Sequence, residues 1–281
     1  MSNVISIRNF IAKVCLEKLD IKELGHTTGF HSLDKKIGGL VPELIIVGSR
    51  PSLGKTSFVM DIAACMSIKN HLPTLVFAMD VHPELLATRL LSSLARIELV
   101  RLRNNDIRDE EWPKIFSATS CLYDSKLFID DADKIDVTEI VNKSHALANT
   151  HGQLGLVVID FLQLVSFREH GHNRKFEISQ ICSTLKKLSE DLRVPIICTS
   201  HLSRDIELRT DKRPVLSDLD YCASIETEAD KILFIYRDDI YNNEQTGVAE
   251  IIIAKNSGAL GKIQLMHLPE FVCFENLPIE E

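Results

Sequence analysis

A run of branched apolar residues, Leu44 to Val47, leads almost directly into Ser49-Arg50-Pro51-Ser52-Leu53-Gly54-Lys55-Thr56. From Thr56 onward Phe58, Val59, Ile62, Ala63 and Met66 recur at helical spacing. A buried strand that turns through a glycine straight into a helix leaves few folds open, because it sets the helix start at the carboxyl end of a sheet strand. The residue types in the turn suit a phosphate. A glycine lets backbone amides approach closely, the helix start adds partial positive charge, a lysine reaches the outer phosphates, and a threonine hydroxyl can ligate magnesium. The candidate cradle is therefore Ser49, Arg50, Pro51, Ser52, Leu53, Gly54, Lys55, Thr56 and Ser57. The match is imperfect, since the usual first glycine is Ser49 here, with Gly48 one residue earlier. An ordinary strand-to-helix turn with a chance lysine is the competing reading; the strand before it and the helix after it speak against that.

The rest of the chain continues the same alternation. Strands are expected at 74–79, 126–130, 155–160, 195–200 and 231–236, and near 248–255 and 261–268. Helices are expected at 56–68, 83–97, 109–122, 136–149 and 174–191. Such alternation makes an α/β fold with a mostly parallel twisted sheet wrapped by helices on both faces, its ligands beyond the carboxyl ends of the strands. With 281 residues and 45% apolar content, one large domain with a short appendage is expected. That appendage is residues 1–26, where Ile7, Phe10, Ile11 and Val14 line one side of an amphipathic helix over 4–21. The main domain takes 27–281.

No apolar run is long enough to span a membrane, and the N-terminus lacks the cationic start and apolar block of a signal peptide. A cytoplasmic location is expected. Seven cysteines without a paired CxxC spacing read as reduced packing residues rather than a zinc site. A formal charge of −8, from 40 acidic against 32 basic residues, argues against indiscriminate coating of nucleic acid. It leaves room for a few basic inner loops. The strand LGLVVID ends in Asp160, the Walker B position for a second contact to magnesium or its water shell. Alone that would be a common strand-end acid; beside the phosphate turn the metal reading gains weight.

Read in order, TGFHSLDKKIGGL, SRPSLGKT, VIDFLQLV, SHLSRDIELRTDKRPVLSDLD, SIETEADKILFIYRDD and IIIAKNSGALG resemble the motor domain of the DnaB-family replicative helicases. The resemblance covers nearly all of the chain from Thr28 onward. It implies a RecA-like P-loop ATPase core with antiparallel strands at its C-terminal edge, assembled as a homo-oligomeric, hexameric ring with ATP between subunits and single-stranded DNA in the centre. Replication proteins would be partners. The family's separate helical N-terminal domain is expected to be missing, with the helix at 4–21 standing where the family has a linker helix that docks on the neighbouring subunit.

The resemblance assigns ATP phosphates and Mg2+ to Lys55 and Thr56, with Asp160 completing the metal site and Arg50 beside them. Two central loops would face DNA. The first carries Arg168, His170, His172, Asn173, Arg174 and Lys175; the second runs from Arg204 to Ala223 with Arg209, Lys212 and Arg213. A mobile polar loop and a solvated surface are the respective alternatives.

Four departures fall at catalytic or DNA-facing positions. The family's FSLEM, whose glutamate orients the attacking water, is Phe77-Ala78-Met79-Asp80-Val81 here. Asp80 is shorter by one methylene, roughly 1 Å, and a misplacement of that order costs about a hundredfold in rate. The family's SQL, with its phosphate-sensing glutamine, is Ser200-His201-Leu202; a histidine still donates, but its protonation varies near neutral pH. The family's SDLRESG is Ser217-Asp218-Leu219-Asp220-Tyr221-Cys222-Ala223, which exchanges a cation for an anion and a glycine for alanine. Lastly, Lys255-Asn256-Ser257-Gly258 is one residue shorter than the family's segment and lacks its arginine finger, a group worth roughly 10³–10⁵ in rate. Lys255, or Lys262 beyond it, is the available substitute. Lys55, Asp80, Asp160 and His201 are the expected catalytic set. The readings left open are an ATP-dependent helicase or translocase, a degenerate relative that binds nucleotide without vigorous hydrolysis, and, less supported, a strand-exchange ATPase.

Overall fold

The computed structural model describes residues 25–167, 173–242 and 247–278. The first part of the chain runs α1 (His31–Ile37), β1 (Leu44–Ser49), α2 (Lys55–Ala64), β2 (Thr74–Ala78), α3 (Pro83–Ala95), α4 (Leu99–Arg103), α5 (Trp112–Tyr123) and β3 (Leu127–Asp130). It continues through β4 (Ile135–Asp136), α6 (Val137–His151), β5 (Leu156–Asp160), β6 (Val165–Ser166), α7 (Arg174–Leu192) and β7 (Ile196–His201). The last part is α8 (Cys222–Glu228), β8 (Lys231–Arg237), α9 (Asp239–Asn242), β9 (Val248–Lys255), β10 (Gly261–Leu268) and β11 (Cys273–Asn276).

Nine strands form one sheet in the order β11-β10-β9-β8-β1-β7-β5-β2-β3. The pairs from β8 to β3 are all parallel, and those of β8 with β9, β9 with β10 and β10 with β11 are antiparallel. The expected α/β class, with its antiparallel C-terminal edge, is the architecture observed. β1 is buried along its whole length. Its odd and even residues serve opposite faces: Ile45 and Val47 pack with α2 and α3 residues such as Phe58, Ile62 and Leu86, while Leu44 and Ile46 pack with Ile178, Ile181 and Leu185 of α7. This two-sided burial is why the strands read as continuous apolar runs.

Local chemistry sets the helix ends. The Asp136 carboxylate accepts from Thr138 N at 2.8 Å, and the Asn173 side chain accepts from Lys175 N at 2.7 Å, so α6 and α7 carry polar caps. Three expected elements differ. The helix expected at 56–68 is α2 followed by a π-helical turn, Cys65–Lys69. The one expected at 83–97 stops at Ala95, because Arg96 adopts the left-handed conformation at φ 56°. The one expected at 109–122 begins as a 3₁₀ turn and becomes α-helical at Trp112. The segment 25–40, for which no element is expected, contains α1, pinned by Asp34 Oδ1 accepting from Thr28 N at 2.9 Å. α8 and β11 were also unexpected. The amphipathic helix expected at 4–21 lies outside the described residues, as do Arg168, His170 and His172.

Candidate functional site

The sheet order places the carboxyl ends of β1, β7, β5 and β2 side by side. Ser49 is in register with His201, and Ala78 with Asp160. Residues far apart in the chain therefore meet along one edge, where a crevice of about 530 Å³ is bordered by the 50–57 turn, Asp80, Arg89, His201, Arg237 and His267.

The turn itself has little freedom. Ser52 and Gly54 sit at φ 64° and 95°, and Gly54 caps α2. A Cβ built on Gly54 would lie 2.8 Å from the Phe274 ring, so both backbone angle and space require glycine. Ser49, where the usual phosphate turn has its first glycine, is fully buried as the last residue of β1 and donates from Oγ to the Arg50 carbonyl at 2.9 Å. Leu53 is buried beneath the turn, while Pro51 and Ser52 are exposed.

Lys55 is buried at the start of α2, its ammonium donating to the Ser200 carbonyl at 3.1 Å and lying 5.7 Å from the Phe161 ring centroid. Burial lowers its pKa to about 8, against the opposing pull of Asp160 and Asp80. Thr56 donates to Asp160 Oδ2 at 2.6 Å, and Thr199 donates to Asp160 Oδ1. A buried carboxylate flanked by two hydroxyls, one on the phosphate turn, is the hard oxygen donor set that magnesium takes. Thr56 and Asp160, expected as metal ligands, are thus in direct contact. Asp80, exposed, lines the same crevice.

His201 ends β7 and stacks on Phe161 with ring centroids 4.3 Å apart. Burial first, and then the Lys55 ammonium, push its pKa below the usual range, so the imidazole is neutral at neutral pH. Next door, Gln163 Nε2 donates to Ser200 Oγ at 2.9 Å, tying the segment after β5 to β7. Arg50 also borders the crevice but is committed elsewhere, to Glu207 at 2.9 Å and the Leu202 carbonyl at 3.0 Å.

The structure leaves Lys255 away from this crevice. Its ammonium donates to the carbonyls of Glu226 and Ala229 at 2.5 and 2.6 Å. Lys262, the other candidate substitute, pairs with Glu250 at 2.8 Å. The second basic loop is similarly engaged. Arg209 grips Asp218 through two bonds of 3.1 and 2.8 Å, Arg213 grips Glu250 through 2.8 and 3.0 Å, and Lys212 donates to the Glu207 carbonyl at 2.9 Å. These cations are partly exposed and each is paired within its own chain. Arg174, from the first loop, binds Glu177 and the carbonyls of Gln163 and Val165, whereas Lys175 is exposed.

Sequence reasoning missed Thr199, Arg89, Arg237 and His267. Thr199 was adjacent to a noticed motif, but Arg89 sits inside an ordinary helical pattern and His267 on a late strand. His267 is buried against Phe274, ring centroids 4.8 Å apart, and burial together with Arg237 lowers its pKa to about 4.

A strand-turn-helix loop ending in Lys55, a hydroxyl bonded to a carboxylate that could hold a divalent cation, and a second acid lining the same crevice are the features of a P-loop nucleotide-binding domain of RecA-like architecture. Comparison with known proteins narrows the class. The model of the DnaB-like helicase C terminal domain matches residues 25–276, and the chain belongs to that family. It is 40% identical over 276 residues to the replicative DNA helicase DnaB of Haemophilus influenzae, covering 93% of this chain and 59% of that protein. It is 42% identical over 260 residues to the DnaB of Pasteurella multocida, covering 90% and 56%. The chain thus spans less than two thirds of the length of these relatives. Among solved structures, an ATPase domain superposes with a TM-score of 0.90 at 31% identity, covering 97% of this chain and 99% of that one. A DnaB-like replicative helicase, solved for its interactions with primase, superposes with a TM-score of 0.91 at 31% identity, covering 99% and 68%.

Proposed function

We propose that the chain is a replicative-helicase ATPase: it binds ATP with Mg2+ at the Lys55 turn and couples slow hydrolysis to movement on single-stranded DNA within a hexameric ring in the cytoplasm. The observation that carries this reading is the contact of Thr56 with Asp160 beside Lys55, with Asp80 lining the same crevice. Lys55 and the amides of the turn bind the β- and γ-phosphates. Thr56 and Asp160 would hold magnesium, which supplies charge neutralisation on the phosphate oxygens. Asp80 orients the attacking water and accepts its proton, while His201, neutral at the end of β7, donates toward the terminal phosphate. Phe161 fixes the imidazole plane by stacking.

The engagement of Lys255 and Lys262 within their own chain favours a second reading, in which nucleotide is bound but turned over weakly and the protein serves replication as a binding or regulatory partner. ATP turnover by the purified chain, measured with and without single-stranded DNA and alongside light scattering, separates the two. DNA-stimulated hydrolysis by a ring supports the motor. Background turnover under both conditions, with ATP still bound, supports the binding protein.

A further inference from the structure

Three arginines border the crevice, and two are occupied: Arg50 with Glu207, and Arg237 with Asp239 at 2.7 Å. Arg89, on the face of α3 toward the cradle, has no hydrogen-bond or ion-pair partner among the described residues, and its Nε is buried without one. It stands within the electrostatic reach of Asp160 and Asp80, the two acids on the metal and water side of the crevice. An unpartnered guanidinium with a desolvated nitrogen is costly to keep. A planar fork of donors facing an anion site recovers that cost when a phosphate arrives.

We infer that Arg89 is a ligand of the terminal phosphate supplied by the same chain that supplies the cradle, so that a guanidinium meets the γ-phosphate without a contribution from the 255–258 segment. The inference rests on the nucleotide reading above and deepens it. Bound ATP brings the γ-phosphate oxygens against the Arg89 fork, and the pairing relieves the buried Nε. ADP, lacking that group, leaves the guanidinium unpaired as before. Arg89 therefore adds to the preference of this chain for ATP over ADP before any neighbour joins.

The test is the affinity of the purified full chain for the β,γ-imido analogue of ATP and for ADP, both with magnesium, in the wild type and in Arg89→Ala and Arg89→Lys. Losing a charge-assisted contact should weaken binding of the ATP analogue about 10- to 100-fold while leaving ADP within about threefold, with Arg89→Lys intermediate. Equal losses for both nucleotides in Arg89→Lys, or no loss in either variant, would overturn the assignment. Should Arg89→Ala not fold, Arg89→Lys alone decides by the same ratio. A wild-type chain that binds neither nucleotide is a different result, which removes the nucleotide site itself.

Discussion

The Lys55 turn and the Lys255–Gly261 hairpin both resemble nucleotide-handling segments, yet the molecule treats them differently. At the turn, Gly54 cannot be replaced without striking Phe274, Thr56 meets Asp160, and Lys55 lines the crevice. At the hairpin, the available cations are engaged by their own chain. Lys255 closes the carbonyl end of α8, Lys262 neutralises Glu250, and the segment between them carries no arginine. A nucleotide cradle is a local device and tolerates little change. A residue meant for a neighbouring subunit is constrained by an interface and, once altered, is readily captured by its own chain.

The sharpest way to break this contrast is at the turn. Lys55→Ala should abolish nucleotide-dependent thermal stabilisation, an affinity loss of at least about 100-fold; an unchanged shift in a melting curve would mean that the turn is not the site. The hairpin should respond in the opposite sense. Ser257→Arg, or an arginine inserted after Asn256, is expected to raise DNA-stimulated turnover about tenfold or more while leaving ATP affinity within about threefold. If affinity rises and turnover does not, the hairpin is not a trans-acting element.

A third test uses pH. With the Lys55 pKa near 8 in the free protein, the ammonium is lost as pH rises through that value, whereas bound polyphosphate holds the proton on. Apparent ATP affinity should therefore fall about tenfold between pH 7 and pH 9. His201, lowered below its usual range, is already neutral across this window and adds no slope. A flat titration would contradict the buried ammonium. The smallest effect is expected at the second basic loop. Arg209→Ala leaves the buried Asp218 carboxylate without its fork, so chemical denaturation should report a loss of about 1–3 kcal/mol, with nucleotide affinity unchanged.

Much of this was legible from residues alone. The cradle, Asp160 and the strand alternation are short-range patterns in which each residue type announces its own environment, and the parallel sheet follows from two-sided apolar strands. What stayed hidden depended on partners. Arg209, Lys212 and Arg213 look like a basic patch because sequence gives their charge but not their partners: Asp218 and the Glu207 carbonyl of the same loop, and Glu250, which β9 brings against Arg213. Arg89 and Thr199 gain meaning through the crevice that β1, β7, β5 and β2 share, which no local window contains. α1 was obscured by its flanking glycines, and β11 by being four residues long.

The central claim is that the turn around Lys55 holds a triphosphate by its main-chain amides, and a crystal structure of the chain grown with magnesium and the β,γ-imido ATP analogue tests it most directly. The account predicts phosphate oxygens within hydrogen-bonding distance of the Lys55 ammonium and the 52–56 amides, with the metal between Thr56 and Asp160. A crevice holding neither nucleotide nor metal at saturating concentrations would contradict it.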